Sequence, residues 1–202
     1  MTFKNRLRAR GAREQKLKKH RDFLLHSIRM HLLPAFIQQG FTPDPAPVEG
    51  APVDRKYKGT FPFELRRVRP DGGVDLVEIQ FKTYHRAAFR INVCAVPKEG
   101  MITLGGHRTV EDLHASGLHD HFETHARPWL RPLLRALGLE PLGEWFSLWL
   151  WYLRYPKQAD YDRLVLRVAG VLPELELALR EGKLGPHVRR IVFSSKFRSG
   201  AV

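Results

Sequence analysis

The chain has few of the features that mark several common protein classes. It contains one cysteine, Cys94, so no internal disulfide can form, and its strand-like apolar surroundings favour a buried thiol in a reducing compartment. No run of about 18 apolar residues is present to form a transmembrane helix. The positive charges of residues 1–20 are not followed by the apolar segment of a signal peptide. We therefore expect a cytoplasmic protein without a transmembrane segment.

Sequence signatures of catalysis are also missing. The chain has no glycine loop of the Walker type, no GxGxxG after a strand and no GxSxG nucleophile elbow. Cys94 lacks the partial exposure and the neighbouring base that activate a nucleophilic thiol. The sequence therefore favours a non-catalytic binding or accessory module without a cofactor over an enzyme, and it does not indicate an oligomeric state.

Histidines are concentrated in the stretch LHASGLHDHFETHARPW, residues 113–129. They are His114, His119, His121 and His125. A zinc site needs three or four converging donors, and the HExxH metalloprotease helix needs Glu directly after the first His. Here Glu123 lies two residues after His121, so the spacing favours a solvated turn. Free histidine side chains in such a turn titrate at about pH 6.5. A divalent-metal-dependent enzyme built on these histidines is the alternative.

Positive charge is concentrated at the start of the chain. The formal net charge is +13, of which residues 1–22 carry +7. This asymmetry predicts a basic N-terminal extension, residues 1–22, on one α+β domain, residues 23–202. Its candidate contacts to nucleic-acid phosphates are Arg6, Arg8, Arg10, Arg13, Lys16, Lys18, Lys19 and Arg21. Such a segment is also typical of a solvated helix end without a partner.

Hydrophobic periodicity predicts an α+β fold, an antiparallel β-sheet meander packed by helices, with a basic N-terminal helix. Apolar residues at three- and four-residue steps indicate a helix that ends near Gln39, before Gly40, and Pro34 should either bend this helix or begin its last segment. A proline-rich loop follows. Three alternating runs predict strands at 60–68, 74–81 and 87–96, with hairpin chemistry in RPDGG between the first two.

Alternation along these strands divides their side chains between two faces. The predicted buried face comprises Phe61, Phe63, Leu65, Val77, Ile79, Phe81, Phe89, Ile91 and Val93. The opposite face is polar, and we expect solvent there. Its Gln80, Arg90 and Asn92 offer donors and acceptors to a ligand or peptide, so an inhibitor or protein-interaction module that uses this face is a further alternative.

The second half of the chain returns to helical patterns. A stripe from Tyr161 to Leu179 predicts a helix that restarts at Pro173 and ends at Gly182. Residues 144–154 are apolar on nearly every face, so helix and strand remain open there, and a strand is slightly favoured. Their tryptophans are more typical of a core than of a base-stacking platform.

The strand residues VDLVEIQFKTYHRAAFRINVCAVP, with LLPAFIQQGFTP upstream and EWF downstream, resemble a family of bacterial proteins, the domain of unknown function 4304 type. The resemblance covers about residues 24–150. It depends on a helix ending in Gly40 and Phe41, on Ile79 and Gln80 in one strand, and on Phe89 with Asn92 in the next. It implies a cytosolic α+β domain without an assigned activity, so it supplies no catalytic residues.

Overall fold

The structure, a computed structural model, describes residue 15 and residues 17–43, 63–82, 87–103, 106–110, 113–126, 145–148 and 156–192. The helices of this part of the chain are α1 (17–38), α2 (Gln158–Ala169) and α3 (Leu172–Glu181). The strands are β1 (Thr42–Pro43), β2 (Phe63–Val68), β3 (Val74–Phe81), β4 (Ala88–Val96), β5 (Met101–Thr103), β6 (Gly106–Arg108), β7 (Asp120–Thr124), β8 (Phe146–Ser147) and β9 (Val188–Val192). None of the helices described is long and apolar enough to cross a membrane.

Seven strands form one antiparallel sheet in the order β1–β2–β3–β4–β7–β9, and β8 pairs with the start of β4. Strands β2, β3 and β4 follow one another as the predicted meander, in a register that places Phe81 opposite Phe89. The predicted hairpin between β2 and β3 closes through Gly72, whose φ of +82° suits glycine. These features confirm the α+β fold. Strands β7 and β9 were not predicted.

Helix α1 is held to the core by a stripe of buried residues at every fourth position, namely His20, Leu24, Ile28, Leu32 and Phe36. A four-residue spacing drifts around a regular helix by about 40° per step, because one turn holds 3.6 residues. A π-helical turn at Ile28–Leu32 holds more residues per turn and reduces this drift. Pro34 begins the last helical segment, as predicted, and Gly40 ends the helix with a φ of +85°.

The main core lies between the three helices and one face of the sheet. The residues predicted for that face are buried wherever the structure describes them, which confirms Leu65, Val77, Ile79, Phe81, Phe89, Ile91 and Val93. Phe61 and the side chain of Phe63 lie outside the described part. Helices α2 and α3 contribute the predicted stripe, and Pro173 stands in the first turn of α3.

The opposite face of the sheet is not the solvated surface that the sequence predicts. Leu113, Ala115 and Leu118 cover one end of it and form a second apolar cluster with Leu76 and Val96. Farther along this face, polar side chains of β3, β4 and β7 are themselves buried. Both faces of the sheet are therefore packed, which alternation in β2–β4 alone does not reveal.

Helix α1 runs without interruption through residues 22 and 23, where the charge pattern divides a basic extension from the domain. His20 is 5% exposed, and its ring centroid lies 6.1 Å from that of Tyr161 in α2. The end of the cationic segment is thus part of the packed helical layer. The division into residues 1–22 and 23–202 stays a prediction, since residues 1–14 and 16 lie outside the described part.

Candidate functional site

The predicted sheet-face residues Gln80, Arg90 and Asn92 come together on the second face of the sheet. The Arg90 Nε donates a hydrogen bond of 2.6 Å to Gln80 Oε1, and Asn92 Nδ2 donates one of 3.2 Å to the same oxygen. The register explains this contact, because Gln80 lies opposite Arg90 in the β3–β4 pair. Sequence alternation therefore identified a real cluster.

The centre of this cluster is a residue that the sequence did not single out for it. Glu123 of β7 is 3% exposed and lies between two arginines, with 2.9 Å to Arg90 and 2.8 Å to Arg189. The β7–β9 register places Glu123 opposite Arg189. The sequence could have indicated Glu123 only as half of an opposite-charge pair with Arg189. Such a cross-strand pair can be predicted only when both β7 and β9 have been recognised as strands.

The cluster is buried at Asn92, Glu78 and Glu123, whereas Gln80 and Arg90 are half-buried. Asn92 is completely buried, and its Oδ1 has no hydrogen-bond partner among the described residues. Glu78, 1% exposed, accepts hydrogen bonds from the backbone N–H and the hydroxyl of Ser116. Burial raises the pKa of the Glu78 carboxyl above its usual value. The segment around Ser116 therefore covers the part of this face at Glu78, and Glu123 pairs with both arginines within the fold.

The four predicted histidines occupy different environments. His114 is exposed, with its Nδ1 2.7 Å from Glu64, and this carboxylate raises the pKa of its imidazole. His121 is buried in β7, where its Nδ1 donates to the Leu118 carbonyl at 3.1 Å, and burial lowers its pKa. His125 is buried just after β7, whereas His119 is exposed. The expected solvated turn is therefore wrong for His121 and His125.

Potential metal ligands do not converge in the described part of the chain, where no group of three or more His, Cys, Asp or Glu side chains is placed to hold an ion. Cys94 is buried beside the carbonyl of Asp120, and burial raises the pKa of its thiol to about 12. A thiol of that pKa is almost entirely protonated at neutral pH, so Cys94 is a packing residue.

A cavity of about 220 Å³ lies between β8 and α2, below the range of about 300–1,000 Å³ usual for small-molecule sites. Its walls combine apolar side chains with Asp160, Arg163 and His187. Asp160 accepts the backbone N–H of Lys157 and pairs with Arg163, while His187 pairs with Glu174. Asp160 and His187 are thus engaged in structural contacts.

The cationic start of α1 has a different character. Lys18 and Lys19 are exposed, and neither forms an ion pair within the described residues. Lys19 lies over the Phe23 ring at 5.5 Å, and the Arg21 guanidinium lies 5.7 Å from the Phe81 ring. The predicted contacts Arg6, Arg8, Arg10, Arg13 and Lys16 lie outside the described part. The described cations are therefore presented by a helix that is anchored in the core.

Trp145 is a further surface residue that the sequence grouped with the core. Phe146 packs in the core against Phe89, and Trp145 meets Arg90 and Lys82 at 4.6 and 5.6 Å from its ring. Alternation of side chains at the short strand β8 would have separated Trp145 from Phe146. This alternation cannot be read from the sequence, because the surrounding residues are apolar at nearly every position.

No protein-family model matches the chain, and no curated protein or solved structure shows significant similarity to it. The assignment of function therefore depends on the sites described above.

Proposed function

We propose that this chain is a non-catalytic binding module that contacts nucleic acid through the cationic start of α1. The observation that carries the proposal is the rigid presentation of Lys18 and Lys19, which are exposed on a helix whose neighbouring residue His20 is buried in the core. The preceding residues add further arginines and lysines, for a net charge of +7 over residues 1–22.

Electrostatics gives this surface its preference for a polyanion. Lysine and arginine bind phosphates and release the counterions condensed on them, which drives association without base-specific contacts. An anionic membrane is a poorer partner, because the sparse apolar residues Phe3, Leu7 and Leu17 make a weak insertion face.

The polar face of the sheet is a less suitable docking surface. Glu123 pairs with both Arg90 and Arg189 within the fold, and Asn92 has no exposed area. The segment around Ser116 covers Glu78 through two hydrogen bonds, so a partner would reach only the part of this face that the segment leaves uncovered. This geometry favours the cationic helix over the sheet face.

The test is the binding of labelled RNA to the full-length chain, measured by fluorescence anisotropy at low salt. We expect Lys18→Glu with Lys19→Glu to weaken binding at least tenfold, because each reversal replaces a phosphate contact with repulsion. Deletion of residues 1–22 is unsuitable, because it removes the buried His20 and disturbs the helical layer.

Lys98→Glu with Lys183→Glu is the matched control, since both lysines are exposed and lie outside α1. This pair makes the same change in net charge. An equal loss of affinity in the two double variants would show that only the total charge matters. If the wild-type chain does not bind RNA, the proposal is contradicted.

A further inference from the structure

The indole of Trp145 lies on the polar face of the sheet in contact with two cations. Side chains alternate along β8, and Phe146 points into the core, so Trp145 points away from it. The Arg90 guanidinium lies 4.6 Å and the Lys82 ammonium 5.6 Å from the indole ring. Trp145 is half-buried, so part of the residue is exposed to solvent.

Arg90 holds this arrangement in place. Its guanidinium is fixed by Gln80 at 2.6 Å and by Glu123 at 2.9 Å, so it supports the indole from a rigid position. Lys82 follows the end of β3 and carries a long flexible stem, which allows its ammonium to move from the ring to a neighbouring anion. Arg90 is therefore already ordered before a ligand binds, and Lys82 is the side chain that a ligand has to order.

The cationic start of α1 reaches the same end of the sheet. The Arg21 guanidinium lies 5.7 Å from the ring of Phe81, the residue that directly precedes Lys82. Phe81 belongs to the main core and Lys82 contacts Trp145 on the polar face, so the N-terminal turns of α1 and the Trp145 cluster meet the end of β3 from opposite faces of the sheet. Together they define a cation–indole strip, which consists of Lys18, Arg21, Lys82, Arg90 and Trp145.

We infer that the cation–indole strip binds single-stranded nucleic acid, with an unpaired base stacked on Trp145 and backbone phosphates beside Lys82 and the cations of α1. This inference rests on the proposed function and adds the class of nucleic acid. Stacking of bases on aromatic side chains, flanked by cations that follow the backbone, is how sequence-tolerant single-strand binding is achieved. The bases of a duplex are already stacked and paired, so they cannot use the indole.

The experiment compares a labelled thymidine oligomer of about 15 nucleotides with a duplex of equal length, both titrated with the full-length chain. The wild-type chain binds the single strand at least tenfold more tightly than the duplex. Trp145→Leu lowers single-strand affinity about tenfold and leaves duplex affinity unchanged, whereas Trp145→Phe, which keeps an aromatic ring, loses less. Leu184→Ala, at an exposed apolar residue after α3, is the control and changes neither affinity.

The outcomes separate the two proposals. Salt-dependent binding with equal affinity for single strand and duplex, unaffected by Trp145→Leu, overturns the single-strand inference and leaves the proposed function standing. Absence of binding to either probe overturns both. Circular dichroism checks the fold of each variant, and if Trp145→Leu unfolds, the wild-type preference and the Trp145→Phe variant decide the question.

Discussion

At the scale of single residues, His121 shows how burial changes the chemistry of a side chain that the sequence placed in a solvated turn. It is 3% exposed, and burial lowers the pKa of its imidazole below the ordinary value of 6.5. The folded state therefore binds this proton less readily than the unfolded state. The contribution of His121 to stability is present above pH 6.5 and is lost as the pH falls through the lowered pKa.

Replacement of this imidazole should flatten the acid side of the stability curve. His121→Gln retains an N–H donor for the Leu118 carbonyl but does not titrate. We expect the difference in free energy of unfolding between pH 7.5 and pH 5 to be smaller in this variant than in the wild-type chain, as measured by urea denaturation.

His114 provides a control of opposite sign. Glu64 raises the pKa of His114, so its contribution to stability is present below pH 6.5 and is lost as the pH rises through the raised pKa. His114→Gln should therefore steepen the loss of stability in acid. An acid dependence that is identical in His121→Gln and the wild-type chain would show that this histidine is not the group that titrates.

At the scale of secondary structure elements, a buried ionic group joins the sheet to two helices. Asp75 of β3 is 2% exposed and lies 2.6 Å from Arg67 and 3.2 Å from Arg69. Arg67 also pairs with Glu176 of α3 and donates to the carbonyl of Gln39 at the end of α1. One guanidinium thus links β2, β3, α1 and α3.

Removal of Asp75 should be strongly destabilising. Asp75→Ala removes the closest counter-ion of Arg67, whose side chain is only 13% exposed. Breaking a buried pair in this way costs about 3–5 kcal/mol. The shift of the urea midpoint measures this loss. Asp71→Ala is the control, because Asp71 also pairs with Arg69 but has a 66% exposed side chain, so we expect a much smaller shift.

The elements that could be predicted from the sequence are those with a simple hydrophobic pattern. Alternation located β2, β3 and β4 to within a few residues, and helical spacing located α2 and α3 with their break at Pro173. Strands β7 and β9 were missed, because DHFET and VRRIV are short and each carries two charged residues, which pair across the two strands in the sheet. Their pairing is a tertiary property that neither segment shows alone.

At the scale of the whole molecule, the charge asymmetry of the sequence and the packing of α1 both favour the proposal that the start of this helix contacts nucleic acid. The sequence identified the cationic segment, and it placed Gln80, Arg90 and Asn92 on the same face of the sheet. It did not reveal that Glu123 and Ser116 close the polar face, because burial on both sides of a sheet leaves ordinary alternation in place. It also did not distinguish Trp145 from the tryptophans that follow.

The most direct test of the central claim is the salt dependence of single-strand binding by the wild-type chain and by Lys18→Ala with Lys19→Ala. The logarithm of the association constant falls with the logarithm of salt concentration by about 0.7 per phosphate contact on a single strand. We predict that the double variant has a slope shallower by about 1.4, while Lys98→Ala with Lys183→Ala keeps the wild-type slope. An unchanged slope in the Lys18 and Lys19 variant would contradict the claim that the start of α1 contacts nucleic acid.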